Sequence, residues 1–185
     1  MLYNISMENL FEVKSNTSKT ELRVWAKEMR KSLNFADLSR DSVRRILDLD
    51  EYKQAKNIMI YYPMQAEINL LALLKDENKK FFLPKISGNN LLCCPFENDF
   101  ELCLSCFKTK EPLTNAVEKS LIDLIIVPAL VMDKNHYRLG YGGGFYDRFL
   151  LGLDAKTLVC IPTSLVVDTI YPESHDVKID KIIQV

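Results

Sequence analysis

The stretch Leu121–Val127 (LIDLIIV) constrains this chain more than any other. A run of aliphatic and β-branched residues with so little polar interruption belongs to a strand covered on both faces. Such a strand needs apolar layers above and below it, and a parallel sheet between helices supplies them. Further strands are expected at Asn57–Tyr62 (NIMIYY, stopped by Pro63), Lys80–Leu83, Asn90–Phe96, Thr157–Ile161 and Lys181–Val185. Helices are expected between them, at Lys19–Leu33, Asp41–Gln54, Ala66–Lys75 and Phe145–Leu153. This alternation predicts an α/β fold, a three-layer sandwich with a mainly parallel central sheet. With 185 residues, 48% of them hydrophobic, the chain suffices for one core and one domain. Residues 1–17 read as a loosely ordered extension of it. Glu97–Ser120 has weak periodicity and is expected to be a hairpin or an irregular excursion.

The first helix has a clear start. Ser18-Lys-Thr-Glu21 has the form of a capping box. At 100° per residue, Leu22, Trp25, Ala26, Met29 and Leu33 share one face, while Lys19, Arg23, Lys27 and Arg30 form a stripe along its edge. Four cations on a helix edge are ordinarily solvated.

The 24 basic and 25 acidic residues nearly cancel, so no global field draws nucleic acid or an anionic membrane to the surface. Any bound anion must be held locally. Neither a basic leader before a long apolar run nor 18 successive apolar residues occurs, and a soluble cytoplasmic protein is expected. Five cysteines without a secretory signal suggest reduced thiols. Cys93, Cys94, Cys103 and Cys106 place four sulfurs in a short span, but adjacent cysteines on a strand point opposite ways. Ordinary thiols are the favoured reading, ahead of a zinc-stabilised interaction protein.

Four of the chain's six glycines lie in Arg138-Leu-Gly-Tyr-Gly-Gly-Gly-Phe-Tyr-Asp-Arg148. The segment follows the strongest strand and precedes a helix, where open α/β sheets place their ligands. Clustered glycines permit positive φ and bring bare N–H groups to an anion. A phosphate cradle is one reading, and a flexible or tightly packed turn the other. The spacing is neither the dinucleotide fingerprint, which needs glycine where Phe145 stands, nor a Walker loop. Arg138 and Arg148 bracket the loop with guanidinium groups suited to phosphate. Asp147 would be repulsive beside a phosphate unless a cation such as Mg²⁺ lay between them; alternatively it favours the helix start.

These residues resemble a known family. Ile126-Val-Pro-Ala-Leu-Val-Met-Asp133 followed by the glycine segment is similar to the signature of the 5-formyltetrahydrofolate cyclo-ligases. Lys19-Thr-Glu-Leu-Arg23, Tyr61-Tyr-Pro-Met-Gln-Ala-Glu67-Ile, Phe82-Leu-Pro-Lys85, Glu111-Pro112 and His175-Asp-Val-Lys-Ile-Asp180 match further family segments in order. Two positions depart from the pattern: family members commonly carry Arg in place of Tyr141 and Tyr in place of Phe145.

The resemblance implies a CoA-transferase-like sandwich and an ATP-dependent, ring-forming carbon–nitrogen ligase. Its substrates would be ATP, with Mg²⁺, and 5-formyltetrahydrofolate, with or without a polyglutamate tail, and it is expected to act as a monomer. Carried over by position, Lys19, Arg23, Arg138, Leu139, Gly140, Tyr141, Gly142, Gly143, Gly144, Phe145 and Tyr146 would hold the nucleotide. Asp147 and Asp176 would hold the metal. Tyr62, Met64 and Glu67 would contact folate, and Glu67, Arg138 and Tyr146 would take part in the chemistry. The competing class is a module that binds nucleotide or folate without turnover, a reading that the loss of a cation at Tyr141 favours.

Overall fold

The computed structural model describes residues 17–105 and 109–185. The expected N-terminal extension, apart from Thr17, lies outside the described residues, as does Cys106. The first helix, α1 (Lys19–Arg30), begins at the expected box, with Glu21 N–H donating to Ser18 Oγ and Ser18 N–H to Glu21 Oε2 at 2.7 Å. It is followed by α2 (Phe35–Asp48), α3 (Asp50–Gln54), β1 (Asn57–Met59), β2 (Lys80–Ser87), β3 (Asn90–Pro95), β4 (Leu102–Leu104) and β5 (Lys110–Pro112). The chain continues with β6 (Leu124–Ile126), β7 (Val131–Asp133), β8 (Arg138–Leu139), α4 (Phe145–Leu150), β9 (Lys156–Ile161), β10 (Val166–Val167) and β11 (Lys181–Gln184).

Six strands form the central sheet in the order β11-β9-β6-β1-β2-β3. All neighbours are parallel except β2 and β3, which form an antiparallel hairpin at the edge. Successive residues of each strand serve opposite cores. Ile58, Phe81, Leu83, Leu124, Ile126 and Leu158 face the side covered by α2 and α3, where Ile46 and Tyr52 meet them. Met59, Phe82, Ile125 and Val159 face the other side, covered by Leu22 and Ala26 of α1 and Phe149 of α4. The expected three layers follow from this period of two, and each fully buried Leu or Ile contributes roughly 1.5–3 kcal/mol. The strand order reverses between β1 and β6, so the segments leaving those two strands flank a crevice at their carboxyl ends.

Several boundaries differ from expectation. The helix expected over Ala66–Lys75 is only a 3₁₀ turn at Leu71–Lys75, and Ala66, its expected first residue, adopts φ 62°, outside the helical range. The second helix begins at Phe35, capped by Asn34, and breaks at Leu49, whose extended backbone starts the short α3. Strands β1 and β6 are shorter than their apolar runs, and a 3₁₀ turn at Lys119–Leu121 precedes β6. Helix α1 ends at Arg30 rather than Leu33, and α4 at Leu150 rather than Leu153. The uncertain region resolves into the small β4–β5 hairpin. Cys93, Cys94 and Cys160 are buried and Cys103 is exposed, all as free thiols. Burial pushes the Cys93 thiol up to about 12.

Candidate active site

One cavity of about 600 Å³ opens at the crevice, and every residue that the resemblance singled out for nucleotide, metal, folate or chemistry lines it. Arg148, expected to bracket the phosphate loop, is not among the lining residues and donates instead to the carbonyls of Asn89 and Gly143. The glycine loop forms one wall. Gly142 has φ 107° and Gly144 has φ 65°, conformations that side chains disfavour, and a Cβ on Gly143 would lie 2.6 Å from the Phe145 ring. Two cations of α1 line the cavity, Arg23 against this loop and Lys19 against the segment bearing Asp176. Arg23 Nε donates to the Gly140 carbonyl at 2.9 Å. Lys19 Nζ lies 2.6 Å from Asp176 and 2.9 Å from Glu173.

Arg138, at 5% exposure, is the deepest charge in the cavity. Its Nη2 lies 3.0 Å from Asp147 Oδ1, off the line of a hydrogen bond, and its Nε–H has no partner among the described residues. Burial lowers its pKa against the opposing pull of Asp147. The Tyr146 hydroxyl is likewise buried without a partner among the described residues, and burial raises its pKa, keeping it a donor. Unspent buried donors are costly, and two of them converging on one cavity point to an anionic or oxygen-rich ligand.

Asp147 Oδ1 also accepts from Val177 N–H at 3.4 Å, which brings it beside the segment bearing Asp176. Burial acts to raise the Asp176 pKa, but the Glu173 amide and Lys19 outweigh it and hold the carboxyl low. Among the described residues no group of three or more His, Cys, Asp or Glu could close a metal cage. Two carboxylates alone still fit Mg²⁺, which takes one or two of them and completes its shell with phosphate oxygen and water. Helix α4 has only six residues, so its dipole contributes little to this charge balance.

The opposite wall carries Glu67, 7% exposed, in the turn after β1. Its Oε2 accepts from its own turn, Met64 N–H, at 2.7 Å, and Oε1 accepts from the Tyr141 hydroxyl at 2.8 Å. Burial raises its pKa, while those two donors and the nearby Arg30 partly offset the rise. Tyr62 and Met64 stand beside it, with Lys110 of β5 over the Tyr62 ring at 5.5 Å.

Three features escaped the sequence reading. Arg30 leaves the solvated stripe: at 5% exposure it donates to the carbonyls of Ala66, Ala129 and Leu130. Its position on the core side of the stripe, beside Leu22 and Ala26 on the wheel, was the available signal. Glu173 joins Lys19 and Asp176, and Lys110 enters the cavity from a hairpin whose sequence carried no pattern. Asp133 of the signature, by contrast, is fully buried and accepts from Asn135, Tyr137 and Ile170 N–H groups, which shapes the β7–β8 turn. A second, more open depression of about 1030 Å³ lies between α2 and the Leu71–Lys75 turn. Its cations Arg40 and Arg44 are already paired with Asp37 and Asp41 on the same helix.

Comparison with known proteins places this arrangement. The 5-formyltetrahydrofolate cyclo-ligase of Haemophilus influenzae is 33% identical over 122 residues, 61% of this chain and 65% of that one. The cyclo-ligase of Mus musculus is 25% identical over 199 aligned positions, 91% of this chain and 94% of that one. The chain thus spans just under two thirds of the first relative and nearly all of the second. The NMR structure of Aquifex aeolicus 5,10-methenyltetrahydrofolate synthetase superposes with a TM-score of 0.80 at 27% identity, covering 90% of this chain and 89% of that one. The Mycoplasma pneumoniae synthetase, at 22% identity and a TM-score of 0.74, shares the fold. Residues 13–185 match the model of one family across the described fold and the cavity alike: the chain belongs to the 5-formyltetrahydrofolate cyclo-ligase family.

Proposed function

We propose that this protein converts 5-formyltetrahydrofolate to 5,10-methenyltetrahydrofolate, with MgATP going to ADP and phosphate. The observation that carries the reading is the meeting, in one cavity, of the glycine loop over buried Arg138 with the buried carboxylate Glu67. One end suits a polyphosphate and the other a cationic or N–H-bearing heterocycle.

The chemistry needs an oxygen made into a leaving group. A formamide oxygen does not depart unaided, so N10 closes the ring only after that oxygen accepts the γ-phosphoryl group; phosphate then leaves as the C–N bond completes. Phosphoryl transfer asks chiefly for positioning and charge stabilisation. The loop amides, Arg138, Lys19 and Arg23 hold the phosphates, and Arg138 in its buried setting offers the strongest field. Asp147 and Asp176 would hold Mg²⁺, which would neutralise phosphate charge. Tyr146 supplies a neutral donor to an oxygen of the transferring group. Glu67 orients the pterin and stabilises positive character at N5, with Tyr62 and Met64 against the flat ring.

The test is absorbance of the methenyl product on mixing purified protein, MgATP and (6S)-5-formyltetrahydrofolate, with Glu67→Ala and Asp147→Ala in parallel. Product that needs ATP and is lost in both variants is the expected result. ATP binding without any product in wild type would instead establish a binding module.

A further inference from the structure

Tyr141 bridges the two halves of the cavity, from the glycine loop to Glu67. It rides on the glycine loop between Gly140 and Gly142 and is 42% exposed as a residue, yet its hydroxyl reaches inward to Glu67 Oε1 at 2.8 Å. The two residues are 74 positions apart in sequence. We propose that Tyr141 is a positioning residue for the substrate-facing carboxylate: its phenol holds Glu67 at the angle from which it meets folate. This rests on the reading of Glu67 as the folate carboxylate.

The surroundings of Glu67 leave that task to Tyr141. Arg30 from α1 is the nearest cation, but its described hydrogen bonds go to the carbonyls of Ala66, Ala129 and Leu130 and none to the carboxylate. Tyr61, after β1, donates its hydroxyl to the Ile68 carbonyl at 2.8 Å. Tyr146, from α4, has no hydrogen-bond partner for its hydroxyl among the described residues. Among the described residues, the Tyr141 hydroxyl is therefore the side chain that hydrogen-bonds Glu67, and the Met64 amide is the backbone group. Each oxygen takes one donor, which fixes the carboxylate plane and leaves lone pairs free for substrate. The same phenol favours the ionised form against the burial that disfavours it.

Removing the hydroxyl alone separates this role from packing. The experiment is calorimetric titration of 5-formyltetrahydrofolate, without ATP, from pH 5 to pH 9 on wild type, Tyr141→Phe, Tyr141→Arg and Glu67→Gln, each checked for folding by circular dichroism. In wild type, affinity falls on the acid side as Glu67 protonates. Tyr141→Phe is expected to weaken binding at pH 7 about three- to tenfold and to move the acid limb up by about one pH unit. Tyr141→Arg, which restores a donor and adds a fixed charge, is expected to return the limb to the wild-type position or below it. Glu67→Gln is expected to remove the limb. A Tyr141→Phe profile that superposes on wild type, while Glu67→Gln removes the limb, overturns the role of Tyr141 and leaves the reading of Glu67 standing. Wild-type binding by Glu67→Gln at every pH overturns both.

Discussion

Arg30 donates through Nη1 to the Ala66 carbonyl at 2.7 Å, tying the first helix to the turn that presents Glu67. Through Nη2 it also holds the Ala129 carbonyl at 2.6 Å, just ahead of β7. One guanidinium thus locks both crevice-forming segments against α1. Ala66 sits at φ 62°, a strained conformation for a residue with a Cβ, and it persists because the carbonyl is clamped.

Arg30→Ala leaves three carbonyls without their charged donor. The expected cost is about 3 kcal/mol of unfolding free energy, measured by urea denaturation. Folate binding is expected to weaken as well, because the Glu67 turn loses its anchor. A change within about 0.5 kcal/mol would show that the clamp is dispensable.

Glu67→Gln tests the carboxylate by linkage. Its folded pKa is raised by burial above that of the unfolded chain, so its contribution is most favourable below the unfolded value and is lost as pH rises through the folded one. The variant is therefore expected to gain on wild type as pH climbs from 4 to 8. Thermal melts across that range check it, and a difference in Tm independent of pH would contradict the burial argument.

Lys19→Met removes the cation that Asp176 and Glu173 hold in the cavity wall. The KM for ATP is expected to rise about tenfold, the scale of a charged hydrogen bond, with folate binding little changed. Asp176 has a depressed pKa in the fold, so the stability it contributes is present above the unfolded carboxylate value and fades as pH falls through the folded one. The stability difference between Lys19→Met and wild type should accordingly shrink in acid. Steady-state kinetics and melts at pH 7 and pH 3 separate the two effects.

Gly142→Ala asks an alanine to adopt φ 107°. The strain is on the order of 1–3 kcal/mol, which an exposed loop relieves by shifting. ATP turnover is expected to drop more than global stability, because the loop rather than the core absorbs the change. Equal loss of both would mean that the glycines serve packing instead of ligand binding.

Much of this molecule is legible locally. The capping box at Ser18, the two-faced strands and the left-handed glycines each express rules that act over a few residues, and they predict the three layers and the place of the cavity. The helix expected at Ala66–Lys75 gave way to a 3₁₀ turn at Leu71–Lys75, in a segment whose Ala66 carbonyl is held by Arg30 from the distant first helix. Arg30 itself, read as a solvated cation, and Lys110, on a hairpin without periodicity, were invisible for the same reason: their partners come from elsewhere in the chain.

The layering, the glycine loop and the family motifs can be read along the chain, because hydrophobic period, capping and backbone freedom are short-range properties. The inward turn of Arg30, the meeting of Lys19 with Asp176 and the reach of Tyr141 to Glu67 emerge in the folded molecule alone. Each of those contacts joins groups far apart in sequence, and burial and hydrogen-bond satisfaction select them once the sheet has brought its segments together.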